Sequence, residues 1–392
     1  MRTSKYFSDQ TIFFLAVCVV LSFLCQIFQF TAPINLIYII TLLMVLFFYL
    51  LSGFVSKTMV GMILLVGFAA FINGFRYNDM DYYTHVLITL CIFICIEVSA
   101  FVRISVNTFR RIADLFLVTS LVLLVAYYFG PLKRTYFDYN IGSVCLNFPN
   151  PNAAGLWVTC IFIMVLYSSF LFKSYKRAMY VGVALALLPI VLATQSRNSF
   201  LACIFFIVGL LAIKLFKIKK VPRWMLLILA ILPLIVFAFY MYVVVANMNF
   251  WEELFKLNSI EKGIGTRQGI WQIVIDNFSR CFFFGDYYQY YDSQMHNSLL
   301  TVFCRFGAPV TLLSCISIYA ALCRLQEKAS FYAALSLSAI FFTGCFEASV
   351  FVGIAGLYLM LLLIPACASV ENVGIANTPA NAPQSNRQNN RR

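Results

Sequence analysis

The chain has 392 residues, of which 62% are hydrophobic and 11% charged, and its mean hydropathy is +0.88. Soluble domains carry about 25% charge and about 45–50% apolar residues, so a soluble fold is excluded and the bilayer becomes the solvent that sets the architecture. Lys and Arg number 28 against 15 acids, but they lie in short clusters between apolar runs, a pattern that marks topology rather than a nucleic-acid partner.

A hydrocarbon core needs about 20 helical residues to cross, and apolar runs of that order cover 11–30, 34–54, 58–75, 84–102, 112–130 and 153–172. Six more follow at 178–194, 199–217, 225–246, 307–323, 331–346 and 350–368. The expected fold class is therefore all-α: a polytopic integral membrane protein of about twelve transmembrane helices, with both termini on one side. The first run follows Arg2 and Lys5 and has no small-x-small cleavage site, so it reads as an uncleaved span. Residues 1–369 form the membrane domain, and 370–392, rich in Asn, Pro, Gln and Ala, read as a disordered cytoplasmic tail.

Orientation follows from the cations, which accumulate in cytoplasmic loops. With the N-terminus inside, only Arg76, Lys133, Arg134, Arg197, Lys256, Lys262, Arg267, Arg280 and Arg305 fall outside, leaving nineteen of the 28 in the cytoplasm. Both termini are then cytoplasmic, and the two larger connections lie outside. These are 131–152 and 247–306, the second a helical loop between spans nine and ten. Of the thirteen cysteines, eleven lie in or beside apolar runs; Cys145 and Cys281 fall in candidate loops, and nothing in the sequence fixes whether they pair.

Four outer segments carry the candidate chemistry. Thr194-Gln195-Ser196-Arg197-Asn198-Ser199 puts one arginine at the membrane boundary, where span eight presents its N-terminal amides and Asn198 or Ser199 can cap. Arg197 there either snorkels to headgroups or binds phosphate. Span six also starts outside, with Asn150 as cap, Pro151 in the first turn and Asn152, Ala153, Ala154 and Gly155 following. In the large loop, Ile270, Trp271, Val274, Ile275 and Phe278 share one helical face. Gly265 and Thr266 start that helix, so Arg267 sits in its first turn, against the dipole unless an anion is bound.

The aromatic run from Phe282 to Tyr291 fits either sugar stacking or an interfacial belt. His296-Asn297-Ser298 then opens another apolar helix, which makes His296 the natural group to take a proton from a hydroxyl. His85 reads as interfacial. Asp79 and Asp81 are paired acids on an outer loop that can hold a divalent cation, and no zinc-ligand spacing joins the two histidines.

The ordered set Thr194-Gln195-Ser196-Arg197, Gly265-Thr266-Arg267 with Trp271 four residues on, and His296-Asn297 ahead of Gly307 resembles the O-antigen ligase and O-antigen polymerase superfamily. The resemblance is best in the second half of the chain. It implies a multi-pass glycosyltransferase of the bacterial inner membrane, working on the periplasmic face without metal or other cofactor. Its donor would be a glycan on undecaprenyl diphosphate, and its acceptor a second lipid-linked glycan or lipid A-core, with membrane lipids around it and no nucleic acid. Carried over by motif, Arg197 and Arg267 bind the diphosphate and His296 acts on the acceptor hydroxyl. Ser196, Asn198, Asn150, Asn152 and Asn297 support them.

Within that superfamily the compact outer loop favours a polymerase of O-antigen or capsule repeat units, for which a chain-length regulator is a further expected partner. Ligation of the glycan to lipid A-core is the alternative. A secondary transporter or lipid-linked glycan flippase is a reading of a different class, and it fits less well because charges deep in the spans are scarce. Glu97 and Asp114 lie near cytoplasmic ends, and the candidate groups all lie on one side.

Overall fold

A backbone in hydrocarbon has no water to bond, so it must close its own hydrogen bonds, most simply as helix. The computed structural model describes residues 9–51, 55–77, 80–99, 104–130, 132, 136–137, 140–244, 269–286, 295–328 and 331–347. Of these, 84% are helical, which places the chain in the all-α class. The helices are α1 Asp9–Ile27, α2 Thr31–Leu51, α3 Lys57–Tyr77, α4 Met80–Ser99, α5 Val106–Tyr128, α6 Pro151–Ser168, α7 Ser174–Ala193, α8 Arg197–Leu215 and α9 Arg223–Phe239. After them come a helical segment at 269–276 (α10), α11 Phe278–Cys281, α12 Ser298–Lys328 and α13 Phe331–Thr343.

Seven stretches are long and apolar enough to cross a membrane: Asp9–Ile27, Lys57–Phe75, Pro151–Leu171, Ser174–Ala193, Arg197–Leu215, Arg223–Tyr242 and Ser298–Glu327. Where spans are expected at 34–54, 84–102, 112–130 and 331–346 the structure has helices α2, α4, α5 and α13, which are not among those seven. The run at 350–368 and the tail at 370–392 lie outside the described residues, as do 245–268 and 287–294 of the large loop.

One element was not expected. Within 131–152 an antiparallel ribbon pairs β1 Tyr136–Phe137 with β2 Asn140–Val144, Tyr136 opposite Val144. Aromatic and β-branched residues flanking Asp138 and Asn140 carry that signal, which a search for long apolar runs does not register.

Helix α6 is apolar all round, and all of it except Asn152 and Ala153 is buried, as a helix enclosed by others should be. It packs against α5, α7, α8 and α13. Outer helices instead leave large apolar side chains uncovered, among them Leu64, Phe75, Val208, Leu211 and Leu215, a surface suited to lipid and not to water.

Polar contacts sort the connections into two ends. At one end Asn147 bonds the α1 terminus, its Nδ2 donating to Ile27 O at 2.7 Å while Gln26 donates to Asn147 O. The start of α6 meets the α7–α8 turn at that same end. At the other, the Asp9 carboxylate accepts from Ser105 N–H and Thr108 Oγ1, the Glu97 carboxylate accepts from Tyr49 and Ser56, and Val221 exchanges two hydrogen bonds with Gln326. The long helices α1 to α9, α12 and α13 therefore run in alternating directions.

Helix α12 is broken at Gly307, whose φ of 86° and ψ of 176° interrupt the ladder. The turn after α11 fills the break: Asp286 N–H donates to Cys304 O and Ala308 N–H to Phe282 O, both at 2.7 Å. Gly285 faces the backbone of Arg305, and Gly307 faces that of Phe283, too closely for any side chain. Both have positive φ. Gly307→Ala should therefore lower the melting temperature of the detergent-purified protein by several degrees, since strain at such a φ alone costs about 1–3 kcal/mol. Gly182→Ala, where a Cβ meets nothing within 4 Å, should leave it unchanged or slightly raised. Equal melting temperatures for the two variants would contradict the packed break.

Candidate functional site

The last turn of a helix leaves carbonyls with no partner inside the helix, and at the end of α13 those carbonyls organise the site. Asn198 Nδ2 donates to Thr343 O at 2.6 Å, and Ser298 N–H to Gly344 O at 2.8 Å. Asn297 Nδ2 donates to Cys345 O at 3.2 Å, and the Ser298 hydroxyl to Glu347 O. The first turns of α8 and α12 are thus docked on the C-terminal end of α13, positive dipole ends against a negative one.

A third helix start joins them. Asn150 caps α6 as expected, its Oδ1 accepting from Ala153 N–H at 2.7 Å with Pro151 first in the helix. One turn further, Gly155 admits the α7–α8 turn: a Cβ there would lie 2.6 Å from Ser196 Cβ and 2.8 Å from Thr194 Oγ1. The turn is tight, with Gln195 at φ 54° and the Ser196 hydroxyl donating to Ser199 Oγ at 2.8 Å. Asn152, in the first turn of α6, is half-buried.

Helix α8 begins at Arg197, so its N-cap position falls on Ser196, which makes no side-chain cap bond. The cap expected from Asn198 or Ser199 is therefore corrected. Asn198 lies inside the first turn, and its side chain reaches across to α13. Its amide orientation is fixed, because Thr343 O can only accept. Oδ1 is consequently a buried acceptor with no hydrogen-bond partner, an arrangement that is costly unless a donor arrives. Arg197 itself is exposed.

His296 sits half-buried at φ 46°, one residue after a pinned carbonyl: the buried Trp271 donates Nε1 to Met295 O at 2.6 Å. Trp271 meets Phe237 and Tyr240 edge-on, at 5.4 and 5.0 Å between ring centroids. Asn297 then caps α12, its Oδ1 accepting from Leu300 N–H at 3.0 Å while Nδ2 also reaches Pro233 O at 2.7 Å. Val274 on α10 is buried alongside Trp271, and Ile270 and Ile275 pack against the same cluster, but α10 ends before Phe278, which opens α11 and stacks on Phe303.

Beneath this loop lies an apolar cavity of about 570 Å³, bounded by α9, α10, α11 and α12 through Leu234, Phe237, Val274, Phe278, Leu300 and Phe303. Leu300 is one turn from Asn297, so the cavity approaches the His296 corner. The described residues accordingly bring Ser196, Asn198, Asn150, Asn152, Asn297 and the Arg197 and His296 backbones to one end of the bundle.

Other candidates are not placed. Gly265, Thr266, Arg267, Asp79 and Tyr287 to Tyr291 lie outside the described residues, and so does the side chain of Asp81. His85 is half-buried on α4. Among the described residues no group of three His, Cys, Asp or Glu is arranged to hold a metal.

Sequence reasoning missed Glu347, only 8% exposed at the turn that receives both helix starts. The signal available was a single carboxylate between two apolar runs. It also missed that Asp286 and Arg305 are buried, with Asp286 paired to Arg280. Compared with known proteins, the chain matches no protein-family model and no curated protein sequence.

Proposed function

We propose that the chain is a metal-independent membrane glycosyltransferase that polymerises oligosaccharide repeat units carried on undecaprenyl diphosphate, of the O-antigen or capsule kind. In this reading it lies in the bacterial inner membrane with about twelve spans, both termini cytoplasmic and the α6, α8 and α12 starts periplasmic. The positive-inside bias supports that orientation. The observation that carries the function is the convergence of those three helix starts, with Arg197 and His296 on two of them, around the 343–347 turn.

A departing diphosphate needs its developing charge stabilised at a site shielded from bulk water. Arg197 and the amides of the α8 start supply positive potential there, and Arg267 is assigned the same role by motif. His296 takes the proton from the acceptor hydroxyl as that oxygen attacks the anomeric carbon and the bond to diphosphate breaks. Single displacement inverts that carbon. Asn198 Oδ1 suits a glycan hydroxyl, which can donate to it, and not a phosphate oxygen, which can only accept. The apolar cavity between α9 and α12 fits the hydrocarbon part of a lipid-linked substrate.

The test is a gene deletion with surface glycan displayed on a gel. The deletion strain should show a single repeat unit on core, and the wild-type gene should restore the ladder. Core without any unit, with lipid-linked polymer accumulating, would reject polymerisation in favour of ligation. In the same strain Arg197→Ala should lower turnover about 30- to 1000-fold, with Arg197→Lys a partial rescue because a lysine lacks the planar fork. His296→Ala should lower transfer about 100- to 10000-fold while donor binding persists. A His296→Ala protein inserted at wild-type level that builds a normal ladder would refute the base assignment.

A further inference from the structure

Two cysteines from separate elements meet beside the large loop. Cys281 ends α11 and Cys304 lies on α12; neither has exposed surface, both are thiols, and they share one buried cluster with Trp271, Val274 and Phe303. The backbone on both sides is held independently of sulfur. Gly285 N–H donates to Cys281 O at 3.0 Å, Asp286 N–H to Cys304 O, and Ala308 N–H to Phe282 O. Asn73, near the end of α3, also donates to Phe284 O at 2.9 Å. The two cysteines are therefore brought together by backbone contacts that do not depend on a bond between them.

Other neighbouring cysteines are placed differently. Cys91 and Cys95 lie one turn apart on α4, and Cys160 and Cys203 face each other from the middles of α6 and α8, at a depth where an exchange partner cannot reach. The loop pair thus replaces Cys145 as the partner to consider for Cys281.

We propose that Cys281 and Cys304 are joined by a disulfide in the mature protein, which pins the 278–286 turn across the break in α12. This rests on the orientation given above, which puts that turn in an oxidising compartment. The oxidant is an incoming disulfide of an exported thiol oxidoreductase. One thiolate attacks it to form a mixed disulfide, and the second displaces the oxidant. The electron pair and the two thiol protons leave with the oxidant as its dithiol. Because the folded turn covers both sulfurs, the exchange precedes docking of the turn.

Arg280 and Arg305 bracket both cysteines with no Lys or Arg between, so trypsin releases them in one peptide, 281–305. Cells are quenched with acid, denatured with N-ethylmaleimide, and the purified protein is digested. The peptide should carry no maleimide before reduction and two after it, while Cys160 and Cys203 are labelled from the start. In Cys304→Ser, Cys281 should become labelled without reduction. A doubly labelled 281–305 peptide in unreduced wild-type protein overturns the disulfide. Labelling Gln195→Cys with a membrane-impermeant maleimide in the same strain separates the causes. Reaction from outside with a doubly labelled peptide refutes the pairing alone, whereas reaction only after permeabilisation refutes the orientation with it.

Discussion

Carbonyls at the end of a helix must be bonded by something, and in hydrocarbon that something has to be protein. Helix α13 has thirteen residues, a rise of roughly 20 Å, against a core of about 30 Å. It is therefore shorter than a full span. Thr343, Gly344, Cys345 and Glu347 each find a donor on α8 or at the start of α12. Leaving one such group unpaired would cost about 1–3 kcal/mol, and four of them bind the two helix starts to one place. The site is a consequence of that satisfaction.

The same contacts set the electrostatics. Two positive helix ends meet one negative end, so part of their field is neutralised within the protein, and Arg197, exposed at the first position of α8, adds a full charge beside them. A buried acceptor on Asn198 lies one residue away. The proposed substrate has both parts, a diphosphate for the arginine and hydroxyls for the amide. On the far side Trp271 fixes Met295, so the backbone that carries His296 is held by a packed indole instead of a free loop.

Much of this was legible in the sequence, and the reasons differ by element. Apolar runs locate helices because lipid leaves few alternatives, so α1 to α9 fall where composition puts them. Asn150 was read as a cap because Asn-Pro at a helix start acts through local geometry alone. Asn198 was misassigned for the complementary reason: its partner is Thr343, 145 residues away, and no local pattern encodes that. The break of α12 at Gly307 and the burial of Asp286 and Arg305 also depend on the docked turn. They appear only when two distant segments are placed together. The resemblance to the polymerase and ligase superfamily rested on Arg197, Arg267 and His296; the structure places two of these, and Arg267 lies outside the described residues.

The central claim is that these helix starts surround a glycosyl-transfer reaction with diphosphate as leaving group. Its most direct measurement uses the purified full chain in liposomes, with undecaprenyl-diphosphate-linked repeat units from the native organism and EDTA in excess. The account predicts longer lipid-linked glycans, one undecaprenyl diphosphate released for each bond formed, and an inverted anomeric configuration at the new linkage. Transport of the intact lipid-linked unit across the bilayer with no new glycosidic bond would contradict it.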